Sequence, residues 1–170
     1  YIGGIIKNIK VGPSPDWLVQ KLKSAGHRSI NNVVDISNYV LLEMGHPTHI
    51  FDYNKILNKK ILIRRAKKNE PITTLDGQNF KLNNDHLVIT DGKHPIALAG
   101  VMGGENSAVS EQTFEVFVES AYFNPITIRK GSKNLSLTTD ASKRFERGAD
   151  PNGCLKAFWR VVSLLEEVCG

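Results

Sequence analysis

The run Gly45-His46-Pro47-Thr48-His49-Ile50-Phe51-Asp52 brings two histidines and a carboxylate into one short segment, behind a glycine that stops a helical pattern. Imidazole and carboxylate in this arrangement suit the orientation of a water, a substrate group or a hydroxyl, or a metal site built from His46, His49 and Asp52. The same residues suit a turn fixed by Pro47, with both rings bonded to nearby backbone. No other histidine and cysteine cluster completes a zinc pattern, so no metal is expected. A second run, Ala97-Leu98-Ala99-Gly100-Val101-Met102-Gly103-Gly104-Glu105, carries glycines that would let a ligand approach the backbone and meet its N–H donors. It has neither the lysine nor the glycine spacing of a phosphate loop or a dinucleotide fingerprint, and local pattern favours a structural turn or bulge.

In Glu115-Val116-Phe117-Val118-Glu119, strand alternation puts the two glutamates and the phenylalanine on one face. A carboxylate among such neighbours needs a partner, so Glu119 is either a binding group or simply exposed at the strand end; the pattern alone favours exposure. Helix capping accounts for Thr139, Asp140 and Ser142 in Thr138-Thr139-Asp140-Ala141-Ser142-Lys143-Arg144-Phe145-Glu146-Arg147-Gly148, and Lys143 is spaced to pair with Glu146. The basic residues here, like the group Lys59, Lys60, Arg64, Arg65, Lys67 and Lys68, could meet RNA phosphate, although a solvated face explains any single one of them. No serine-histidine or cysteine-histidine elbow is present, so no covalent catalyst is assigned.

These residues must be positioned by both strands and helices. Ile2 to Val11 reads as a strand ended by Gly12-Pro13; Ser14 reads as the cap of a helix running to Ala25, with Asp16 near its positive end. Ile30, Val33, Val34, Ile36, Val40, Leu41 and Met44 recur at helical spacing and predict a largely buried second helix that stops at Gly45. Short strands are expected over 61–63, 72–75, 87–90 and 96–98, separated by turns such as Asp76-Gly77 and Asp91-Gly92, then a longer one from Phe114 to Phe123. Asn124-Pro125 opens a short helix, another begins near Ser142, and a last one follows Pro151 with Leu155, Phe158, Val161, Val162, Leu165 and Val168 as its apolar stripe. With no internal repeat, low-complexity tract or linker, all 170 residues are expected to share one α+β domain.

The formal charge of +5 favours a polyanionic partner without establishing one. No apolar run approaches the ~20 residues a bilayer span requires, so no membrane partner is expected and the chain reads as cytoplasmic. Cys154 and Cys169 fall in one helical pattern, roughly 22 Å apart at about 1.5 Å per residue, too far to pair along a continuous helix. The first residue is Tyr1 rather than Met, and the chain is read as a fragment of a longer polypeptide.

Taken in order, Arg28-Ser29-Ile30, Val34-Asp35-Ile36-Ser37-Asn38-Tyr39-Val40-Leu41-Leu42-Glu43 and Pro47-Thr48-His49-Ile50-Phe51-Asp52 closely resemble the start of the editing module of bacterial-type phenylalanyl-tRNA synthetase beta subunits. The likeness continues through Leu75-Asp76-Gly77, Gly103-Gly104-Glu105, Val118-Glu119-Ser120-Ala121-Tyr122-Phe123, Thr139-Asp140-Ala141-Ser142 and Arg144-Phe145-Glu146-Arg147-Gly148-Ala149-Asp150-Pro151, so it covers nearly the whole chain. The resemblance implies a layered α+β sandwich of mostly antiparallel sheet packed with helices, formed by the third and fourth domains of a large beta subunit in an α2β2 enzyme, with the editing cleft between sheet and helices. It implies hydrolysis of tyrosine wrongly esterified to tRNA(Phe), with His49, Thr139 and Arg28 serving the catalytic step and Glu119, Gly103 and Ala141 binding the substrate. A tRNA-docking module without catalysis is the alternative. The partners implied are tyrosine-charged tRNA(Phe) and the synthetase alpha subunit. No cofactor is implied for the module, since ATP and magnesium belong to the aminoacylation site of the complete synthetase. One departure is His46, where members commonly carry glutamine.

Overall fold

A computed structural model describes residues 1–170. In chain order its elements are β1 (Ile2–Lys7), α1 (Asp16–Ser24), α2 (Asn32–Met44), β2 (Thr48–Asp52), β3 (Leu62–Arg65), β4 (Glu70–Thr73), β5 (Asn79–Leu82), β6 (Leu87–Thr90), β7 (Pro95–Leu98), β8 (Met102–Gly103), β9 (Glu115–Ser120), α3 (Pro125–Asn134), α4 (Asp140–Arg147) and α5 (Gly153–Cys169). Every strand pairing is antiparallel, and the class is α+β as the sequence implies. The chain divides into two compact units: Tyr1–Tyr53 with Val109–Ala121 and Asp150–Gly170, and Asn54–Ala108 with Tyr122–Ala149.

The first unit holds a sheet in the order β1-β9-β2. One face of this sheet presents Val116, Val118 and Ile50 to Val33, Ile36 and Val40 of α2 and to Ala157, Phe158, Val161 and Leu165 of α5, with Leu18 and Leu22 of α1 in the same core. Full burial of each such side chain contributes about 1.5–3 kcal/mol, which makes this layer the main source of the unit's stability. Helix α2 begins where Asn31 accepts a hydrogen bond from the Val34 amide at 2.9 Å. In its first turn Asp35, with no exposed surface, accepts from the Ser14 hydroxyl at 2.6 Å, the Ile30 amide at 2.9 Å and the Ser29 hydroxyl. A buried carboxylate supplied with three donors is satisfied, and it fixes the loop between α1 and α2.

Several expectations are corrected in this unit. Strand β1 ends at Lys7 rather than near Val11, because Asn8 takes a left-handed φ of 60° that breaks the extended backbone. Ser14 turns to Asp35 instead of capping α1. Ile30, placed in the buried stripe of α2, precedes the helix and is 66% exposed. The segment from Thr48 to Asp52 is a strand, not a loop. In α5, Leu155 is 54% exposed, and Cys154 and Ala157 take the inward positions instead. Both cysteines are free and buried.

The second unit is built on a sheet ordered β3-β6-β7-β8 and a two-stranded sheet of β4 and β5. Its core contains Val88, Ile89, Ile96, Leu98, Ile128 and Phe145. Strand β4 starts earlier than its apolar residues suggest, since Glu70 is gripped by both terminal nitrogens of Arg64, at 2.8 and 2.6 Å, and by the Lys67 amide at 2.7 Å. Strand β5 was not anticipated at all. The β7–β8 reversal turns at Gly100, whose φ of 68° and approach to Phe123, Ile128 and Phe145 exclude a side chain. Asn124 caps α3 by accepting from the Ile126 and Thr127 amides, with Pro125 in the first turn.

Candidate functional site

Glu119 lies in the central strand of the first unit's sheet, opposite His49 of β2 on one side and Gly3 of β1 on the other. By alternation these residues share a face with Phe117, Phe51 and Ile5, opposite to the face that packs on the helices. Gly3 is required here: a Cβ at that position would lie 2.2 Å from the Phe117 ring. The His49 ring stands edge-on to Phe51, with centroids 4.4 Å apart at 85°. Local pattern favoured an exposed Glu119, yet only 5% of it is exposed. The correction follows from its position in the middle of three strands, which alternation along one strand cannot reveal.

A buried carboxylate needs donors, and Glu119 has one: the Tyr1 phenol donates to Oε2 at 2.9 Å, while Oε1 takes no hydrogen bond from the chain. Burial raises the Glu119 carboxyl and the Tyr1 hydrogen bond offsets part of that rise, which leaves it at about 7. The Tyr1 phenol is itself raised well above its ordinary value, by burial and by the adjacent carboxylate. His49 is pushed down by burial to about 4, so it is neutral at physiological pH. The pair therefore offers a carboxylate oxygen poised to accept a hydrogen bond, next to an uncharged imidazole that can donate or accept one. Tyr1 did not stand out in the sequence; it and Glu119 are 118 positions apart, and no spacing rule links them.

Arg28 is exposed in the loop between α1 and α2, a loop held by Asp35 through Ser29 and Ile30. Its guanidinium has no partner within the chain and is available to an anion.

Gly103, Thr139 and Ala141 belong to the second unit. Gly103 pairs with Ala97 across the β7–β8 hairpin, and its carbonyl accepts from the Leu75 amide at 3.1 Å. Thr139 is the N-cap of α4: its hydroxyl accepts from the Ser142 amide at 3.0 Å, and the Ser142 hydroxyl accepts from the Thr139 amide at 2.9 Å. The same threonine hydroxyl donates to the Val101 carbonyl at 2.7 Å, tying the first turn of α4, which includes Ala141, to the hairpin that carries Gly103. These three residues are thus one connected group, and the single proton of the Thr139 hydroxyl is spent on the Val101 carbonyl.

The alternative metal set does not converge. His49 shares a face with Glu119, whereas Asp52 falls on the opposite face of β2 and accepts from the Thr113 hydroxyl at 2.7 Å. Nowhere do three or more His, Cys, Asp or Glu side chains gather in a geometry that could hold a metal ion. Of the basic run from Lys59 to Lys68, Arg64 is bound to Glu70, and Arg65 donates to the Asp85 carbonyl at 3.0 Å and the Thr127 hydroxyl at 3.2 Å. Both arginines serve the unit's own structure. No helix is long and apolar enough to cross a membrane.

A family model described as the B3/4 domain matches residues 1–170. Phenylalanine–tRNA ligase beta subunits from Protochlamydia amoebophila, Syntrophotalea carbinolica and Carboxydothermus hydrogenoformans are 55%, 51% and 49% identical to this chain over 170 residues, in each case 100% of this chain and 21% of the relative. The chain therefore spans about a fifth of the length of these curated relatives. Among solved structures, an N-terminal fragment of the phenylalanyl-tRNA synthetase beta subunit from Pyrococcus horikoshii superposes with a TM-score of 0.51 at 14% identity, covering 79% of this chain and 44% of that one, a likeness of fold.

Proposed function

This chain belongs to the B3/4 domain family, and we propose that it is the editing module of a phenylalanine–tRNA ligase beta subunit, hydrolysing tyrosine misattached to tRNA(Phe). The need for such a step is physical. An apolar pocket built for phenylalanine accepts the same ring with an added hydroxyl, and pockets of this kind discriminate by only about a hundredfold. A second site must invert the selection, offering an acceptor that the phenol fills and that phenylalanine leaves unpaired.

The observation that carries this reading is Glu119: a buried carboxylate with Oε2 held and Oε1 unengaged. In the proposal Oε1 accepts the substrate phenol, and Gly103 and Ala141 keep the substrate-binding roles that the family resemblance implies. Hydrolysis of an aminoacyl ester breaks an activated bond. A water adds to the carbonyl carbon and the ribose oxygen leaves with a proton, so positioning supplies most of what is needed. Neutral His49 suits holding that water or the terminal adenosine by hydrogen bonding. Arg28, with a free guanidinium in a fixed loop, suits the phosphates of the tRNA end. Thr139, whose hydroxyl is committed to Val101 and Ser142, acts by holding the hairpin and α4 in place. The module works without a cofactor of its own. Its partner subunit in an α2β2 assembly is the alpha subunit, with ATP and magnesium confined to aminoacylation.

The test is deacylation of tyrosyl-tRNA(Phe) by the complete synthetase carrying this module, with and without EDTA. The expected result is release of tyrosine unaffected by the chelator, with phenylalanyl-tRNA hydrolysed much more slowly. No release would leave a docking role; loss with EDTA restored by zinc would mean a metal hydrolase.

A further inference from the structure

We propose that Tyr1 is a positioning residue for substrate selection: its phenol holds Glu119 by Oε2 and leaves Oε1 as the oxygen that reads the phenol of the substrate. The inference rests on the editing reading given above and adds to it a residue outside every motif that carries the family resemblance.

A glutamate side chain has three rotatable bonds, and one that must discriminate by a single hydrogen bond has to be held still before the substrate arrives. The sheet fixes the backbone of Glu119 but leaves its carboxylate free to turn. On the β1 side the opposing residue is Gly3, which has no side chain to restrain it; on the β2 side His49 stands edge-on to Phe51. Within the chain only Tyr1 bonds the carboxylate, at 2.9 Å, and it engages one oxygen alone. A tyrosine is apt for this, since its rigid ring brings a donor to Oε2 without adding a second charge.

The same bond affects charge. An ionised carboxylate accepts from a phenol more strongly than a neutral one, so the Tyr1 hydrogen bond favours the ionised form against the burial that opposes it. Within its own sheet Glu119 shares its face with few ionisable groups. Just ahead of β1 there is Tyr1, and on β1 Gly3. On β2 there are His49, uncharged above a pH of about 4, and Phe51. On β9 there are Phe117 and, beyond it, Glu115 beside Lys7 at 3.7 Å. Losing the Tyr1 donor moves the Glu119 ionisation to higher pH.

The experiment is Tyr1→Phe in the complete synthetase, with deacylation of tyrosyl-tRNA and phenylalanyl-tRNA followed from pH 6 to 8.5 and corrected for spontaneous hydrolysis. Removing a hydrogen bond to a charged group is expected to raise the midpoint of the tyrosyl-tRNA profile by about one to two pH units and to lower its rate at pH 7 about five- to fiftyfold. Recovery is expected toward pH 8.5, and the phenylalanyl-tRNA rate should be unchanged. Carbon-13 NMR of the Glu119 carboxyl, read in the 170-residue chain, should show the same upward movement without relying on activity. A tyrosyl-tRNA profile identical to wild type overturns the inference and leaves the editing reading intact. A faster tyrosyl-tRNA reaction at pH 7 also overturns it, because Tyr1 would then be competing with the substrate for Glu119. If the wild-type enzyme releases no tyrosine at all, it is the editing reading that falls, and the selective role of Tyr1 falls with it.

Discussion

Glu119 ionises above His49, the reverse of their order in water, and burial causes both shifts. Each shift has a consequence for stability. The folded-state pKa of Glu119 is raised from 4.5 to about 7, so its contribution is fully present below 4.5 and is lost as pH rises through about 7. His49 is lowered from 6.5 to about 4, so its contribution is present above 6.5 and lost as pH falls through about 4. Glu119→Gln keeps the shape and an acceptor for Tyr1 but cannot ionise. Urea unfolding at pH 8 should find it more stable than wild type by up to about 3 kcal/mol, an advantage that shrinks toward nothing at pH 4. An equal difference at both pH values would show that Glu119 has an ordinary pKa. None of this was legible in Glu115-Val116-Phe117-Val118-Glu119, because alternation along one strand assigns a face and says nothing of what lies on either side. The Tyr1 donor was hidden more deeply, since it depends on β1 pairing with β9 across almost the whole sequence.

Among the elements, those with chemical punctuation were legible and those without it were not. Asn124-Pro125 and Thr139 to Ser142 announce helix starts through residues whose side chains replace missing backbone partners, and both helices form there, α4 two residues earlier than the Ser142 start the pattern suggested. Strand β2 was hidden because Pro47 and the paired histidines read as a turn, and because both of its faces are partly buried, which erases alternation. Strand β5 is four residues long and half polar, and it takes its place from pairing with β4 rather than from its own propensity. The cap of α4 gives the test at this scale. Thr139→Val preserves the side-chain shape but removes the acceptor for Ser142 and the donor to Val101, so it should lower stability by about 1–2 kcal/mol, while Thr139→Ser should recover most of the loss. Denaturant midpoints of the two variants decide it; a valine variant as stable as wild type would mean that the hydroxyl does not hold α4 to the hairpin.

For the molecule as a whole, composition was the weakest guide. A charge of +5 points toward polyanions, yet Arg64 and Arg65 of the densest basic run are engaged with Glu70, Asp85 and Thr127. The ordered series of short motifs was the strongest guide, and the B3/4 domain match over residues 1–170 agrees with it at the level of family. In the function we propose, this family member selects tyrosine by its hydroxyl through Glu119. The most direct measurement is the ratio of tyrosyl-tRNA to phenylalanyl-tRNA deacylation rates for wild type and Glu119→Ala, each in the complete synthetase, with folding checked by circular dichroism. A charge-assisted hydrogen bond of about 1.5–3 kcal/mol predicts that the ratio collapses by about ten- to more than a hundredfold, almost entirely through the tyrosyl-tRNA rate. Rates that fall in parallel, or a ratio that does not change, would contradict the claim.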